Sequence, residues 1–288
     1  MAIKLRRTKI KAFIRKFGYN QGTSNLAMKL IVRTTLILSL FVAASAAAAQ
    51  VAPPKLPFAV GEELNYEGKI SKIISVGGIA DMTFTVAKDP NSENFLIKTK
   101  ANSKGTLLKL FRYSFIQEYE SIVDFRANRV IKTTKHDVQK DRVRDSVADF
   151  DYEQKRVSFV ETDPTNLTRP PRKIASKIED QVHDLVTGIY FMRTQPMAIG
   201  KTFDVVMSDS GLVYRIPVRV TAREKQRSTD KKVWCWRVEP AIFGPGRLID
   251  QKGNMIIWIS DDESRTPIRS IINASFGKLD IRLKSANK

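Results

Sequence analysis

A period-two alternation of apolar and polar residues recurs along most of the chain beyond residue 58. It is clear at 64–68, at 82–86 and at 212–222, and the segments between such runs are rich in turn-forming residues, as at 244–246. Side chains of a β-strand alternate between two faces, so this pattern indicates half-buried strands joined by short turns. Repeated at short spacing, it predicts a mainly β chain: a large curved antiparallel sheet, or a half-open barrel or spiral, of about a dozen strands.

One segment near the middle departs from this alternation. Ser176 and Glu179 have the spacing of a capping box, and Pro196 follows as a helix stop. Between them, apolar residues recur at helical spacing: Ile178, Val182, Leu185, Val186, Ile189 and Tyr190. The pattern predicts one amphipathic helix at about 177–194, packed against the sheet.

The first 49 residues are basic and then apolar. They contain nine Lys and Arg and no acidic residue, and 34–49 is an uncharged run that ends in small residues. This is typical of a basic leader and signal peptide, with cleavage between Ala49 and Gln50. The run is short for a membrane helix, so we expect no permanent span after cleavage; a retained anchor is the alternative. Met28 begins a complete signal pattern of its own and is a possible true start.

The net charge of the chain is much smaller when this leader is left out. The whole chain has 49 Lys and Arg against 30 Asp and Glu, a formal charge of +19. Nine of the basic residues lie in 1–49, which leaves 40 against 30, or +10. The excess is spread over many strands, so nucleic acid is not a predicted partner. Such a surface suits lipid or another anionic component of the envelope, and we expect a periplasmic location.

The mature chain has no internal repeat and no flexible internal linker. Residues 50–57 are proline-rich and predict an extended linker, and 58–288 predicts a single β-rich domain. No pattern in the chain predicts an oligomeric state.

Few residues are suited to catalysis or to metal binding. The chain has one cysteine and two histidines, which argues against a disulfide framework, a metal site or a cofactor. His183-Asp184 and His136-Asp137 pair an imidazole with a carboxylate, but no Gly-x-Ser-x-Gly motif accompanies them. We therefore predict no catalytic residue and no enzyme, and keep a hydrolase with an unconventional site as a third hypothesis.

Aromatic residues at strand spacing are the best candidates for ligand contact. Phe111, Tyr113 and Phe115 share one strand face, and Trp234 and Trp236 share another. They could line a hydrophobic cavity for an acyl chain, or they could fill the core, as aromatic residues in strands usually do.

Four segments together resemble the DUF3108 family. His183-Asp-Leu-Val-Thr-Gly-Ile-Tyr-Phe-Met-Arg-Thr194, followed by 200–202, resembles its helix signature. Residues 61–66, 119–121 and 258–269 resemble its opening strand, its middle strand motif and its last hairpin. The likeness spans about 58–284.

The resemblance implies an exported bacterial envelope protein of unknown biochemical role, with no catalytic residue to transfer. It implies a curved sheet around a helix, similar to lipid-binding periplasmic shells. The positions that match the motifs are expected to be structural: Tyr66, Asp184, Tyr190, Arg193, Trp258, Asp261, Arg265 and Pro267.

These observations favour a non-enzymatic envelope protein that binds an apolar or amphipathic ligand, lipid-like or lipoprotein-like, or an envelope partner. The alternative is a structural or interaction protein with a solid core and no ligand.

Overall fold

The computed structural model describes residues 55–70, 78–105, 112–126, 128–275 and 277–287. The predicted leader, the possible start at Met28, the cleavage site at Ala49 and Gln50, residues 50–54 and Phe111 lie outside these residues.

Fourteen strands and one helix make up the regular structure of this part of the chain. The strands are β1 (Glu63–Ile70), β2 (Ala80–Lys88), β3 (Phe95–Ser103), β4 (Phe115–Asp124), β5 (Arg129–Gln139), β6 (Arg142–Asp151), β7 (Arg156–Thr162), β8 (Arg172–Lys177), β9 (Thr202–Asp209), β10 (Leu212–Arg227), β11 (Lys232–Pro240), β12 (Asn254–Ser260), β13 (Pro267–Ala274) and β14 (Gly277–Asn287). The helix α1 (Leu185–Thr194) lies between β8 and β9.

All fourteen strands form one antiparallel sheet. Its order runs from β8 back to β1, continues to β14, and runs back to β9. Each strand therefore pairs with its neighbours in sequence, except that β8 and β9 do not pair with each other, and β1 pairs with β14 over Glu63–Ile70. The two edges, β8 and β9, are consecutive in sequence and are joined through α1, so the sheet is curled but not closed by a strand ladder. The predicted mainly β architecture is confirmed, with fourteen strands in place of about a dozen.

The predicted start of the helix is wrong. Ser176 pairs with Val157 in the β7–β8 ladder, so it is a strand residue and not a helix cap. Ile178 and Val182 are buried in the stretch before the helix, against the sheet. A buried residue is apolar whether its backbone is extended or helical. The spacing of these apolar residues therefore predicted a helix that begins too early.

The helix begins instead at the Asp184 N-cap. The Asp184 carboxylate accepts hydrogen bonds from the backbone N–H groups of Val186 and Thr187, and the Thr187 hydroxyl accepts one from the Asp184 N–H. This is a capping box with threonine as its third helical residue. The helix ends at Thr194, shortly before Pro196, as predicted.

The helix packs into the curled sheet on two sides. Phe191 and Met192 join a core formed largely by β9 to β12, which includes Val218 and Ile257. Val186 and Tyr190 join a second core, with Val86, Ile97, Val123 and Phe58. The predicted packing of the helix against the sheet is therefore confirmed.

The stretch 178–184 lies between the edge strand β9 and the interior strand β5. The His183 N–H donates to the Val206 carbonyl at 2.9 Å, and the Ser208 N–H donates to the His183 carbonyl at 2.7 Å. On its other side, the Val130 N–H donates to the Val182 carbonyl at 3.0 Å. Backbone hydrogen bonds of this stretch thus connect β5 with β9.

Candidate functional site

A cavity of about 510 Å³ lies between α1 and the inner surface of the sheet. Its walls come from β1, β2, β4, β5, β9, β12, β13 and β14, from the helix, and from the loop between β11 and β12. Most of the side chains that line it are apolar. They include Leu64, Met82, Phe84, Met255, Ile257, Ile272 and Ile281 from the strands and Ile242, Leu248 and Ile249 from the loop.

One face of the helix borders this cavity. Leu185 and Ile189 are four residues apart and both line the cavity. Leu185 keeps 41% of its surface exposed, whereas Tyr190, on the face that packs against the sheet, keeps 1%. The helix thus presents two apolar side chains to a space that no other side chain of the described residues fills.

One part of the wall is polar and charged. Gln117, Tyr119, Lys135 and Asp209 line the cavity here, and all but Gln117 also border a small polar pocket of about 50 Å³. Lys135 Nζ lies 5.1 Å from the centroid of the Tyr119 ring, which is a cation–π contact. The apolar space therefore has a polar edge.

The environment of this edge keeps Tyr119 neutral and Lys135 charged. Burial raises the pKa of the Tyr119 hydroxyl. Burial alone would lower the pKa of Lys135, but the neighbouring Tyr119, Asp137 and Asp209 outweigh it, so the pKa is raised. Lys135 is thus a protonated amine at neutral pH.

A buried ion pair lies beside the cavity. Arg193 lines the cavity wall, and its Nη1 and Nη2 donate to the two Glu62 carboxylate oxygens at 2.6 and 2.7 Å. Nη2 also donates to the carbonyls of Pro57 and Ser264. The pair therefore links the helix to the segment that precedes β1 and to the loop that precedes β13.

Two tyrosines of the cavity wall differ in their hydrogen bonding. The Tyr66 hydroxyl donates to the Pro267 carbonyl at 2.9 Å. The Tyr190 hydroxyl has no partner among the described residues. Burial raises the pKa of both hydroxyls far above the neutral range, so both remain protonated.

The aromatic residues singled out by strand alternation lie elsewhere. Tyr113 and Phe115 pack against Ile79 and Ala80, and neither lines the cavity. Tyr113 precedes β4 and is not a strand residue.

The tryptophans of β11 also lie outside the cavity wall. Trp234 is 44% exposed, and the Arg223 guanidinium lies 4.6 Å from its ring centroid. Trp236 is partly buried, and its Nε1–H donates to Asp261 at 2.6 Å. The aromatic residues that line the cavity are Tyr66, Phe84, Tyr119 and Tyr190.

The remaining motif positions make contacts in strands and turns. The Trp258 Nε1–H donates to Glu224, and Asp261 also accepts from the Arg223 Nε–H. Arg265 has a positive φ of 45° in the turn between β12 and β13. These contacts hold the β12–β13 hairpin against β10 and β11, while the assigned roles of the motif residues stay predictions.

The histidines do not form catalytic pairs with the carboxylates that follow them. Neither ring nitrogen of His183 has a hydrogen-bond partner among the described residues, and its ring stacks on Phe191 at 4.5 Å. His136 Nδ1 lies 2.6 Å from Asp145, and Asp137 pairs with Arg142 instead. Sequence adjacency therefore did not predict the partners.

The described residues contain no group of three or more His, Cys, Asp or Glu side chains that could hold a metal ion. Within the same ranges, no helix is long and apolar enough to cross a membrane.

A curled, unclosed antiparallel sheet that holds one helix and an apolar cavity defines a barrel-like β protein. The chain belongs to the DUF3108 family, described as proteins of unknown function, whose model matches residues 65–284. The family predicted from the four motifs is thus confirmed. No curated protein matches the chain in sequence.

One solved structure supports the architecture. A β-barrel-like protein of the domain of unknown function DUF1849 from Brucella abortus aligns with a TM-score of 0.53 at 9% identity, over 78% of this chain and 96% of that one. At this identity the likeness concerns the fold alone.

Two other structures align over a similar length. A candidate exported protein of Bacteroides fragilis has a TM-score of 0.31 at 9% identity, over 81% of this chain and 98% of that one. A candidate lipoprotein of Parabacteroides distasonis has a TM-score of 0.29 at 9% identity, over 81% and 97%. Both scores are too low to carry an argument about this chain.

Proposed function

We propose that this protein is a non-enzymatic, exported protein that binds an apolar or amphipathic ligand in the cavity between α1 and the sheet. The observation that carries the proposal is the cavity itself. Its volume of about 510 Å³ lies within the roughly 300–1,000 Å³ of small-molecule sites. The basic and apolar leader supports export to the periplasm.

The lining supports an acyl chain or a similar apolar group. Leu185 and Ile189 border the cavity although they occupy helix positions suited to core packing. A ligand that covers the exposed part of these side chains would remove apolar surface from water and add dispersion contacts.

The polar edge supports an amphipathic ligand over a wholly apolar one. Gln117, Lys135 and Asp209 border the same space and offer an amide, an ammonium and a carboxylate to a polar group. A chain in the cavity and a polar group at this edge would satisfy both kinds of surface.

A substitution that fills part of the cavity tests the proposal. Leu185→Trp places a larger side chain at the wall, and we expect it to weaken binding of the apolar dye diphenylhexatriene at least tenfold, measured by fluorescence titration. Leu167→Trp is the matched control, because Leu167 is 90% exposed and lies outside the cavity wall.

The control variant should bind the dye as the wild type does. A wild-type protein that does not bind the dye, or equal binding by both variants, would contradict the proposal and favour the interaction protein with no ligand.

A further inference from the structure

The hairpin formed by β10 and β11 extends past the strands on either side of it. β10 pairs with β9 only as far as Arg219, and β11 pairs with β12 only from Cys235 onward. The two strands continue to pair with each other as far as Arg227 and Lys232. Residues 225–234, here called the hairpin tip, therefore form a two-stranded ribbon beyond β9 and β12.

One face of the hairpin tip is basic and exposes a tryptophan. Lys225 lies opposite Trp234, and Arg227 lies opposite Lys232, so the four side chains share a face. All four are exposed, as is Lys231 in the turn. The hairpin tip thus presents four cations beside one large apolar ring.

The other face of the hairpin tip packs on the protein. Gln226 Oε1 accepts a hydrogen bond from Arg269 Nη1 at 3.4 Å. Val233 packs against a buried cluster that includes Cys235 and Trp258. The basic face is therefore the outer face of the hairpin.

Carboxylates of the described residues do not neutralise these four cations. The ion pairs closest in sequence to the hairpin tip join Arg223 to Asp261 and Arg237 to Glu239, and none of the four cations takes part in them. Within 225–234 there is one acidic residue, Asp230, against four basic ones. The outer face therefore carries a net positive charge.

A groove of about 290 Å³ beside the hairpin tip extends the basic surface. Its charged lining consists of four basic and two acidic residues: Lys69, Arg227, Arg282, Lys284, Glu67 and Asp230. Glu67 already pairs with Lys69 and with Lys104, outside the groove lining. Cations thus outnumber carboxylates in the groove as well.

From this surface we infer that the hairpin tip docks the protein on an anionic phospholipid bilayer, with Trp234 in the headgroup layer and the cations against the lipid phosphates. Lys and Arg are attracted to anionic lipid, and tryptophan is enriched where a membrane meets water. Arg223 and Lys225 lie 4.6 and 5.1 Å from the Trp234 ring centroid, so ring and cations would reach the surface together.

A bilayer fits this surface better than an acidic protein does. A stable protein interface buries about 800 Å² on each partner, around an apolar centre, whereas the hairpin tip offers a single exposed ring. No residue of the hairpin tip lines the cavity, so the docking surface is separate from the proposed ligand site.

Co-sedimentation with vesicles tests the inference. The vesicles consist of phosphatidylcholine, with or without phosphatidylglycerol. We expect the protein to bind the anionic vesicles at least about tenfold more tightly than the neutral ones at low salt. High salt should remove most of this difference, because it screens the charges.

The double variant Lys225→Glu/Lys232→Glu reverses two charges of the docking face and should weaken binding to the anionic vesicles at least about tenfold. Lys173→Glu/Lys177→Glu is the matched control, because both lysines are exposed on β8 and the net charge changes equally. The control variant should lose less than about threefold in affinity.

The role of Trp234 is tested separately. Trp234→Ser should lower the affinity for anionic vesicles about fivefold, because it removes the apolar contact. Lipids brominated near the headgroup should quench the tryptophan fluorescence of the wild type, which makes this measurement independent of any variant. Trp236 and Trp258 are less exposed, so Trp234→Phe should lose most of the quenching.

Four results would overturn the inference and leave the proposed ligand binding intact. They are equal affinity for neutral and anionic vesicles, equal affinity of the two double variants, an unchanged affinity of Trp234→Ser, and wild-type fluorescence that brominated lipid does not quench. A dimer in solution that Trp234→Ser dissociates would assign the surface to a second copy of the chain and would also overturn the inference.

Discussion

His183 shows how the environment of one residue decides its chemistry. The side chain is 1% exposed, stacks on Phe191 and makes no hydrogen bond with the described residues. Burial lowers the pKa of His183 from 6.5 to about 4, so the ring is neutral at physiological pH. A histidine beside an aspartate in sequence is here an apolar core residue.

The buried His183 should make the protein less stable in acid. The unfolded chain takes up a proton on this residue below about pH 6.5, whereas the folded protein does so only near pH 4. Stability from this group is therefore lost as pH falls from 6.5 to 4, by about 2–3 kcal/mol between pH 7 and pH 4.5. Urea unfolding at the two pH values measures it.

His183→Leu should reduce the difference in unfolding free energy between the two pH values by that amount. His136→Gln serves as the control, because His136 is part-buried and pairs with Asp145 on the sheet surface. If the wild type and His183→Leu lose the same unfolding free energy between pH 7 and pH 4.5, the folded protein takes up a proton on His183 as readily as the unfolded chain does.

The helix, at the scale of a single element, depends on one aspartate for its position. Asp184 Oδ1 accepts from the first turn of α1, and Oδ2 accepts from the hydroxyls of Ser121 on β4 and Thr133 on β5. One buried carboxylate thus caps the helix and joins it to two strands. This contact sets where Leu185 and Tyr190 lie relative to the cavity.

Asp184→Ala should destabilise the fold by about 3 kcal/mol or more. The loss of an N-cap costs about 0.5–2 kcal/mol, and two buried hydroxyls left unpaired add about 1–3 kcal/mol each. Asp180→Ala is the control, because Asp180 is exposed and should change stability by less than about 0.5 kcal/mol. Chemical denaturation would reveal the difference, and equal stability of the two variants would exclude the anchoring role.

Sequence patterns predicted the elements better than their boundaries. Alternation located the strands because a strand with one buried face must alternate. It could not separate Ile178 and Val182 from the helix, because apolar residues in an extended buried stretch look the same. The Asp184 to Thr187 capping box was readable in principle, but Ser176 and Glu179 matched the more familiar Ser-to-Glu form.

The candidate site was harder to predict than the fold. Alternation places Trp234 and Trp236 on one face, but it does not tell which part of a curled sheet encloses a space. The wall of the cavity combines β1, β2, β13, β14 and a loop that are far apart in sequence.

At the scale of the whole molecule, the packing of side chains holds the two ends of the sheet together, because no ladder of hydrogen bonds joins the strands at these ends. Gly211, in the β9–β10 turn, has a φ of +80°, and a Cβ there would lie 2.7 Å from the Phe159 Cβ and 2.9 Å from the Ile174 Cβ. The turn therefore packs closely on β7 and β8. The glycine permits both the backbone conformation and the close approach.

Gly211→Ala should separate these two effects when it is compared with Gly200→Ala. Gly200 has a similar φ of +85°, but nothing lies within 4 Å of its added Cβ. Gly200→Ala should cost about 1–2 kcal/mol from the backbone alone, and Gly211→Ala about 1–3 kcal/mol more from overpacking. Equal unfolding free energies would indicate that the two ends of the sheet are not in contact in solution.

Native mass spectrometry of the protein, purified without detergent from bacterial cells that export it, tests most directly whether the cavity holds a lipid. We expect a population of chains that carry one bound lipid, which is released when the protein is denatured and is less abundant in Leu185→Trp. Spectra that contain only the bare polypeptide, for the wild type as for Leu185→Trp, would contradict it.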